Sequence, residues 1–255
     1  HNDWTPLHLA ALHCTCTRAM EALLDAGAEV NSRGEDDKTP LMNAAHGCNE
    51  AAVNLLLERG ARAKLADCYG HTALLWTLKS GTGFHPSVED HRVAKALIKA
   101  GAPVNTTGPA SQEISALYTA ASNSDVAACR IMVEAGADVN WRMSETSETY
   151  VTERGFTPLH AAVHNWGHAE HGWKHAEDLV MMLTAAGADL TQQDAQGRTP
   201  AQHCSAHDEE TAAQLRSMEN VPAIRIAVIG GQPVRFIRRL LRNGQIDPDD
   251  CIKSK

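Results

Sequence analysis

Thr5-Pro6-Leu7-His8-Leu9-Ala10-Ala11 opens a unit that Ala26-Gly27-Ala28-Glu29-Val30-Asn31 closes. The unit returns as Thr39-Pro40-Leu41 with Ala44-Ala45 and Gly60-Ala61, then as Thr72-Ala73-Leu74 ending at Gly101-Ala102-Pro103-Val104-Asn105. A fourth copy runs from Ser115-Ala116-Leu117-Tyr118 to Gly136-Ala137-Asp138-Val139-Asn140, and a fifth from Thr157-Pro158-Leu159-His160-Ala161-Ala162 to Gly187-Ala188-Asp189-Leu190. Thr199-Pro200 with His203 opens a sixth, and Ile224-Arg225-Ile226-Ala227 is a degenerate seventh. Recurrence at about 33 residues is the mark of a repeat architecture and takes precedence over local propensity.

Each unit encodes two short helices. Thr before Pro starts the first, because the hydroxyl can cap exposed N–H groups and Pro suits the first turn, where a missing N–H costs nothing. Leu7, Ala10 and Ala11 form one apolar edge, and the paired alanines remove bulk so that a second helix can approach. That second helix carries Met20, Leu23 and Leu24, or Val53, Leu55, Leu56 and Leu57, at helical spacing. The Gly of each Gly-Ala pair ends it in the left-handed conformation. One pair cannot bury its own apolar face, so stacked neighbours supply the core.

With Thr-Pro-Leu-His and Gly-Ala-x-Val-Asn recurring in this order, the chain resembles an ankyrin-repeat protein over nearly all its length. The resemblance implies an all-α solenoid of stacked antiparallel helix pairs joined by β-hairpin-like fingers. It places repeats one to six in residues 1–221, starting near 5, 39, 72, 115, 157 and 199. Residues 222–255 then form a degenerate seventh repeat or C-terminal cap. His8 and His160 are expected to make structural hydrogen bonds. Asn31, Asn105 and Asn140 are expected to hold finger backbone, in a context resembling the ankyrin sites of asparaginyl hydroxylases.

Three stretches depart from the pattern. Ser80–Pro86 lengthens repeat three between its helices, and Ser87–Asp90 reads as the start of the next helix. Asn165–Trp173 does the same in repeat five, and the two loops are expected on one side of the stack. Met143–Val151, rich in Ser, Thr and Glu, lengthens the fourth finger and reads as solvated and mobile.

The 255 residues carry net charge −8, which argues against a specific nucleic-acid role. The segment from Pro222 onward is +4 and the remainder −12. Its arginines, Arg235, Arg238, Arg239 and Arg242, fall at helical spacing and read as the solvated face of a cap helix. Seven cysteines without a framework read as reduced thiols, hence a cytoplasmic or nuclear protein. No signal peptide, lipidation motif or membrane-length apolar run is visible, and the first residues, already in a finger, read as a piece of something longer.

Catalytic motifs are missing from the sequence: it has no phosphate-binding Gly loop, no Gly-x-Ser-x-Gly and no paired-carboxylate metal motif, and His13-Cys14 or His203-Cys204 point apart on a helix. It reads as a non-enzyme with no cofactor. His160, His164, His168, His171 and His175 have zinc-like spacing, which makes a metal-binding loop at 160–175 an alternative. The stronger reading assigns no metal, because His160 belongs to the repeat motif and Gly167 and Gly172 interrupt the run.

The resemblance implies that a protein or peptide binds the concave face, formed by finger tips and first helices, with the chain a monomer. Register places Trp4, Lys38, His71, Phe156 and Arg198 just before the motif, with Tyr69 and Arg154 two residues earlier. His13, His46, Lys79, Ser122, Asn123, His164, Asn165 and His207 follow on the first-helix ends. Trp76, on the first helix of repeat three, and Trp166, in the inserted loop, complete the row. Binding energy is expected around Tyr69, His71, Trp76, Lys79, Ser122, Asn123, Phe156 and Asn165, since aromatic, His and Arg side chains make good anchors. The second functional class is a substrate-recruiting or regulatory arm of a larger enzyme or ubiquitin-ligase assembly.

Overall fold

A computed structural model of the chain describes residues 4–13, 17–79, 91–105, 114–144, 151–164 and 173–204, together with Ala213 and Arg216. Backbone packing divides the chain into two compact units, His1–Ala116 and Leu117–Lys255. The first contains α1 (Pro6–His13), α2 (Arg18–Asp25), α3 (Pro40–His46), α4 (Glu50–Glu58), α5 (Ala73–Leu78) and α6 (Arg92–Lys99). The second contains α7 (Ala116–Ser122), which starts at the boundary, α8 (Val126–Glu134), α9 (Pro158–His164), α10 (Trp173–Ala185) and α11 (Pro200–Cys204).

Every first helix begins one residue after the motif's Thr or Ser. The capping is seen where the hydroxyls of Thr39, Thr157 and Thr199 accept from the N–H groups of Met42 at 3.4 Å, His160 at 3.3 Å and Gln202 at 3.3 Å. Thr72 precedes α5 without such a bond. Second helices have their own caps where the sequence supplies them. Asn49 accepts from Ala52 N–H at 3.1 Å and Asp125 from Ala128 N–H at 2.9 Å. The glycines that end them, Gly27, Gly60, Gly101, Gly136 and Gly187, all have φ between 83° and 93°. Glycine takes this left-handed conformation without a Cβ penalty.

Within the first unit α3 packs between α1 and α5, and α4 packs against α6; in the second, α9 packs against α10 and α11, and α8 against α10. The paired alanines sit at these contacts, with Ala11, Ala44, Ala45, Ala120, Ala121 and Ala162 fully buried. Leu7, Leu41 and Leu74 from first helices and Met20, Leu56 and Leu97 from second helices are buried in the first unit. Burying each such side chain contributes about 1.5–3 kcal/mol before entropy is counted.

The fingers close like hairpins without forming strands among the described residues. Gly34 N–H donates to Lys38 O at 2.9 Å, Asp67 N–H to His71 O at 3.0 Å, and Asp194 N–H to Arg198 O at 2.9 Å; the single bridge pairs Ala66 with Thr72. Neighbouring fingers join through Cys68 N–H to Asp36 O at 2.9 Å and Ala195 N–H to Arg154 O at 3.0 Å.

Two sequence expectations change. Met143 is not solvated: it is 2% exposed, and its backbone pairs with Phe156 O and Gly155 N–H, so the lengthened fourth finger is anchored where it leaves and rejoins the stack. A 3-10 turn, Val151–Glu153, precedes that return, and the buried Tyr118 hydroxyl donates to the Glu153 carboxylate. Trp173 belongs to α10 rather than to the loop before it. The inserted residues 80–90 and 165–172, residues 145–150 of the fourth finger, the polar second helix of repeat six apart from Ala213 and Arg216, and the boundary at 221/222 lie outside the described residues.

Candidate partner-binding face

Two fingers, those before Thr72 and Thr199, rest on a carboxylate placed five residues before the motif's Thr. Asp67 Oδ1 accepts from the N–H groups of Tyr69 at 2.9 Å and His71 at 2.8 Å, and Asp194 Oδ1 accepts from Gln196 and Arg198, each at 2.9 Å. The second oxygens differ. Asp67 Oδ2 accepts from the Trp76 indole at 3.0 Å, whereas Asp194 Oδ2 accepts from Arg198 Nε at 2.9 Å. Burial pushes both carboxyls up, but the donors outweigh it, chiefly His71 for one and Arg198 for the other, and both titrate below the ordinary carboxylate range.

In the first unit Asp67 organises a cationic and aromatic cluster on the finger and first-helix face. His71, 2% exposed, accepts from Lys79 Nζ on Nε2 at 3.1 Å and turns Nδ1 toward Asp67 Oδ2 at 3.4 Å. Its ring meets the half-buried Trp76 edge-on at 5.8 Å, and the His46 ring does so at 5.3 Å. Lys38 Nζ stands 4.7 Å from the Trp76 ring centroid and Lys79 Nζ 5.8 Å from it, both within cation–π range. Lys38 also pairs with Asp36 at 3.2 Å. Burial, with Lys38 adding to it, pushes His46 down from its ordinary value; burial also lowers Lys79. Tyr69, 41% exposed, lies beside this cluster with its ring 5.8 Å from His71.

The second unit has a histidine cluster instead. Phe156 is 1% exposed, stacks on His160 at 5.4 Å, and meets His164 at 5.7 Å and His203 at 5.0 Å edge-on. His164 Nδ1 and His203 Nε2 are 2.8 Å apart. The His203 Nδ1 is buried without a hydrogen-bond partner among the described residues. Burial, with Arg198 and His164 nearby, lowers His203 to about 4.

Some predicted contact residues are core. His71 and Phe156 are not surface anchors, because they are almost fully buried. Trp76 is half-buried with its indole committed to Asp67. Trp4 is half-buried against His8 at 6.3 Å, and His13 ends α1 exposed. Lys38, His46 and Lys79 come together around Trp76, and the Tyr69 ring lies against His71. In the other unit, Ser122 is half-buried and Asn123 exposed at the end of α7, Arg154 is half-buried, Arg198 is held by Asp194, and His164 is drawn into the Phe156 cluster. Asn165, Trp166 and His207 lie outside the described residues.

The metal reading loses His160. Its Nδ1 bonds Thr157 Oγ1 at 2.9 Å and its Nε2 bonds Arg198 O at 3.1 Å, so neither nitrogen is free for a cation. His8 repeats this, with Thr5 Oγ1 at 2.9 Å and Lys38 O at 2.9 Å. These are the structural bonds expected of the motif histidine. No group of three or more metal-ligating side chains is assembled among the described residues. His168 and His171 lie outside them.

Two sets of contacts join consecutive repeats. Asn31 Nδ2 donates to Gly60 O at 3.2 Å and its Oδ1 accepts from Arg62 N–H at 2.9 Å; Asn140 likewise holds Gly187 O at 3.1 Å and Asp189 N–H at 2.7 Å. Two residues on, Arg33 donates to Asp37 O and Ala66 O, each at 2.6 Å, and Arg142 to Gly155 O at 3.3 Å and Gln193 O at 3.0 Å. The asparagines were expected to hold backbone; the arginines were not singled out, although Val-Asn-x-Arg stands in both copies. The finger aspartates were also missed, although Asp-x-x-Gly-x-Thr occurs at 67–72 and 194–199.

A family model described as "Ankyrin repeats (3 copies)" matches residues 7–107 and 87–173, and one described as "Ankyrin repeat" matches 154–195. Among curated proteins, human "SH3 and multiple ankyrin repeat domains protein 2" is 24% identical over 89% of this chain and 10% of its own length. Mouse "Rabankyrin-5" is 28% identical over 74% of this chain and 14% of its own length. The chain thus spans a small fraction of these relatives. Among solved structures, an ankyrin repeat domain from Acinetobacter baumannii AYE matches with TM-score 0.61 and 21% identity over 89% of this chain and 98% of that one. The structure titled as a predatory endopeptidase from Bdellovibrio bacteriovorus in complex with an immunity protein matches with TM-score 0.62 and 21% identity over 86% of this chain and all of that one. At such identity these structures speak to the fold. No helix among the described residues is long and apolar enough to cross a membrane.

Proposed function

This chain belongs to the ankyrin-repeat family, and from that premise we propose that it recognises a peptide or a folded protein through its finger and first-helix face. The observation that carries this reading is the cluster in the first unit. An exposed Tyr69 lies against His71, which meets the half-buried Trp76 edge-on, and two lysines are held against the Trp76 ring. Such side chains offer large contact area while their rotamers are already restrained, which lowers the ordering cost of association. The Asn and Arg contacts between repeats hold the finger backbones that carry them. In this reading the chain acts as a monomer in the cytoplasm or nucleus, has no specific nucleic-acid partner and carries no catalytic residue.

Crosslinking and mass spectrometry on cells of the source organism test the proposal. Crosslinks from a partner should map to the neighbourhood of Tyr69 and Lys38 and disappear in Tyr69→Ala. A partner that crosslinks only to α2, α4 and α6 and ignores Tyr69→Ala overturns it. A second reading, a recruiting or regulatory arm of a larger enzyme or ligase assembly, draws support from the relatives, of which this chain spans 10% and 14%. Such an arm would use the same face.

A further inference from the structure

We propose that Lys38, Lys79 and Trp76 form a niche for a carboxylate side chain of an acidic segment in the partner peptide. The inference rests on the binding reading above and narrows it to one partner chemistry. Two ammonium groups stand at 4.7 Å and 5.8 Å from a single indole ring. Like charges held this close repel each other, and both are partly withdrawn from water; the Lys38 side chain is only 20% exposed. The ring offsets part of that cost, and a carboxylate between the two lysines would offset the rest.

The acids already present are engaged, and the one nearest Lys79, Asp67, acts on it only through space. Asp36 serves Lys38. Asp67 is occupied by the N–H groups of Tyr69 and His71 and by the Trp76 indole, and its side chain is fully buried. Lys79 donates to an imidazole nitrogen, which brings no negative charge, and meets no carboxylate at ion-pair distance among the described residues. His46, at the other edge of Trp76, is lowered by burial and by Lys38, so it adds a neutral ring. The niche would thus offer Lys79, and Lys38 shared with Asp36, to one carboxylate, with the exposed Tyr69 ring against His71 nearby.

Charge elsewhere fixes the size of the occupant. The whole chain is −8, so its field opposes a polyanion, and a nucleic acid or long acidic tract gains less here than one or two well-placed carboxylates. Ammonium–carboxylate bonds in a partly desolvated setting are stronger than neutral ones, and the rigid ring beneath them restricts the approach.

Selection of short random peptides against the wild-type protein, with anisotropy titration of the enriched peptides, is the test. The expected result is enrichment of Asp or Glu beside an apolar residue. Affinity should fall about tenfold or more when that acid becomes Asn or Gln, or when the protein carries Lys38→Gln and Lys79→Gln. Lys79→Arg should retain binding, and Lys64→Gln with Lys95→Gln, at exposed sites, should leave it unchanged. Circular dichroism on each variant separates lost affinity from lost fold. Enriched peptides without acids that still lose affinity in Tyr69→Ala would sink the carboxylate niche while leaving the binding face intact. Peptides indifferent to every one of these changes, or no enrichment over the double-Gln protein, would overturn both.

Discussion

Asp67→Asn is a one-atom change whose cost follows from the donors around the carboxylate. One oxygen accepts two backbone N–H groups and the other accepts the Trp76 indole, in a side chain with no exposure. An amide has one oxygen. If it keeps the backbone donors, its NH2 faces the indole N–H; if it flips, two buried N–H groups lose their acceptor. Hydrogen bonds to charged groups contribute about 1.5–3 kcal/mol and a buried donor left unmade costs about 1–3, so Asp67→Asn should cost about 3 kcal/mol. Asp194→Asn loses an equivalent bond to Arg198, but that side chain is 42% exposed and water replaces the acceptor, so about 1 kcal/mol is expected. Urea unfolding followed by circular dichroism measures both. Because the Asp67 carboxyl is held below its ordinary range, its contribution is present above about pH 4 and is lost as pH falls through the lowered folded value. Asp67→Asn should flatten that acid limb. A cost below about 1 kcal/mol, or a larger cost at Asp194, would refute the assignment of Asp67 as the finger's organiser.

His203 is lowered in the folded state, so the unfolded chain binds the extra proton between its ordinary value of 6.5 and about 4; stability should be full above that window and fall by up to about 3 kcal/mol across it as pH drops. His203→Gln should remove this slope in pH-dependent melting. At Gly155 (φ 75°) a Cβ would lie 2.7 Å from Ala195 N, so Gly155→Ala should cost more than the roughly 1–2 kcal/mol expected for Gly136→Ala, where φ is 90° and the space is open. Equal melting temperatures for the two would contradict the close finger packing. Asn31→Ala removes two bonds between repeats and should cost about 1–2 kcal/mol by chemical denaturation, with no effect expected from Asn54→Ala on the exposed face of α4.

What single residues and the period decide was legible: Thr-Pro starts, Gly ends, alanine contacts and the motif histidines all stand where the repeat puts them. What depends on contacts between particular side chains was not. Lys38, His71, Phe156 and Arg198 share one register position, yet His71 and Phe156 are covered while Lys38 and Arg198 stay half exposed. The covering groups come from elsewhere in the sequence. Lys79 and Trp76 close over His71, and His164 and His203 close over Phe156. The covering side chains lie five and eight residues after His71 and eight and 47 after Phe156, and which of them folds back over the position depends on side-chain contacts that no periodic pattern reports. Met143 failed for the same reason: a Ser- and Thr-rich stretch reads as solvated, but its first residue is pinned by backbone bonds to Phe156 and Gly155.

The direct test of the account is partner affinity in Tyr69→Ala beside Phe156→Ala, each read together with its melting temperature. Tyr69 is exposed and Phe156 is fully buried. Tyr69→Ala should therefore weaken binding by about 2 kcal/mol or more and leave melting unchanged. Phe156→Ala should lower stability by about 3–5 kcal/mol through the cavity it leaves. Tyr69→Ala binding the partner as tightly as the wild type would contradict the proposal that the finger and first-helix face of the first unit is the binding surface.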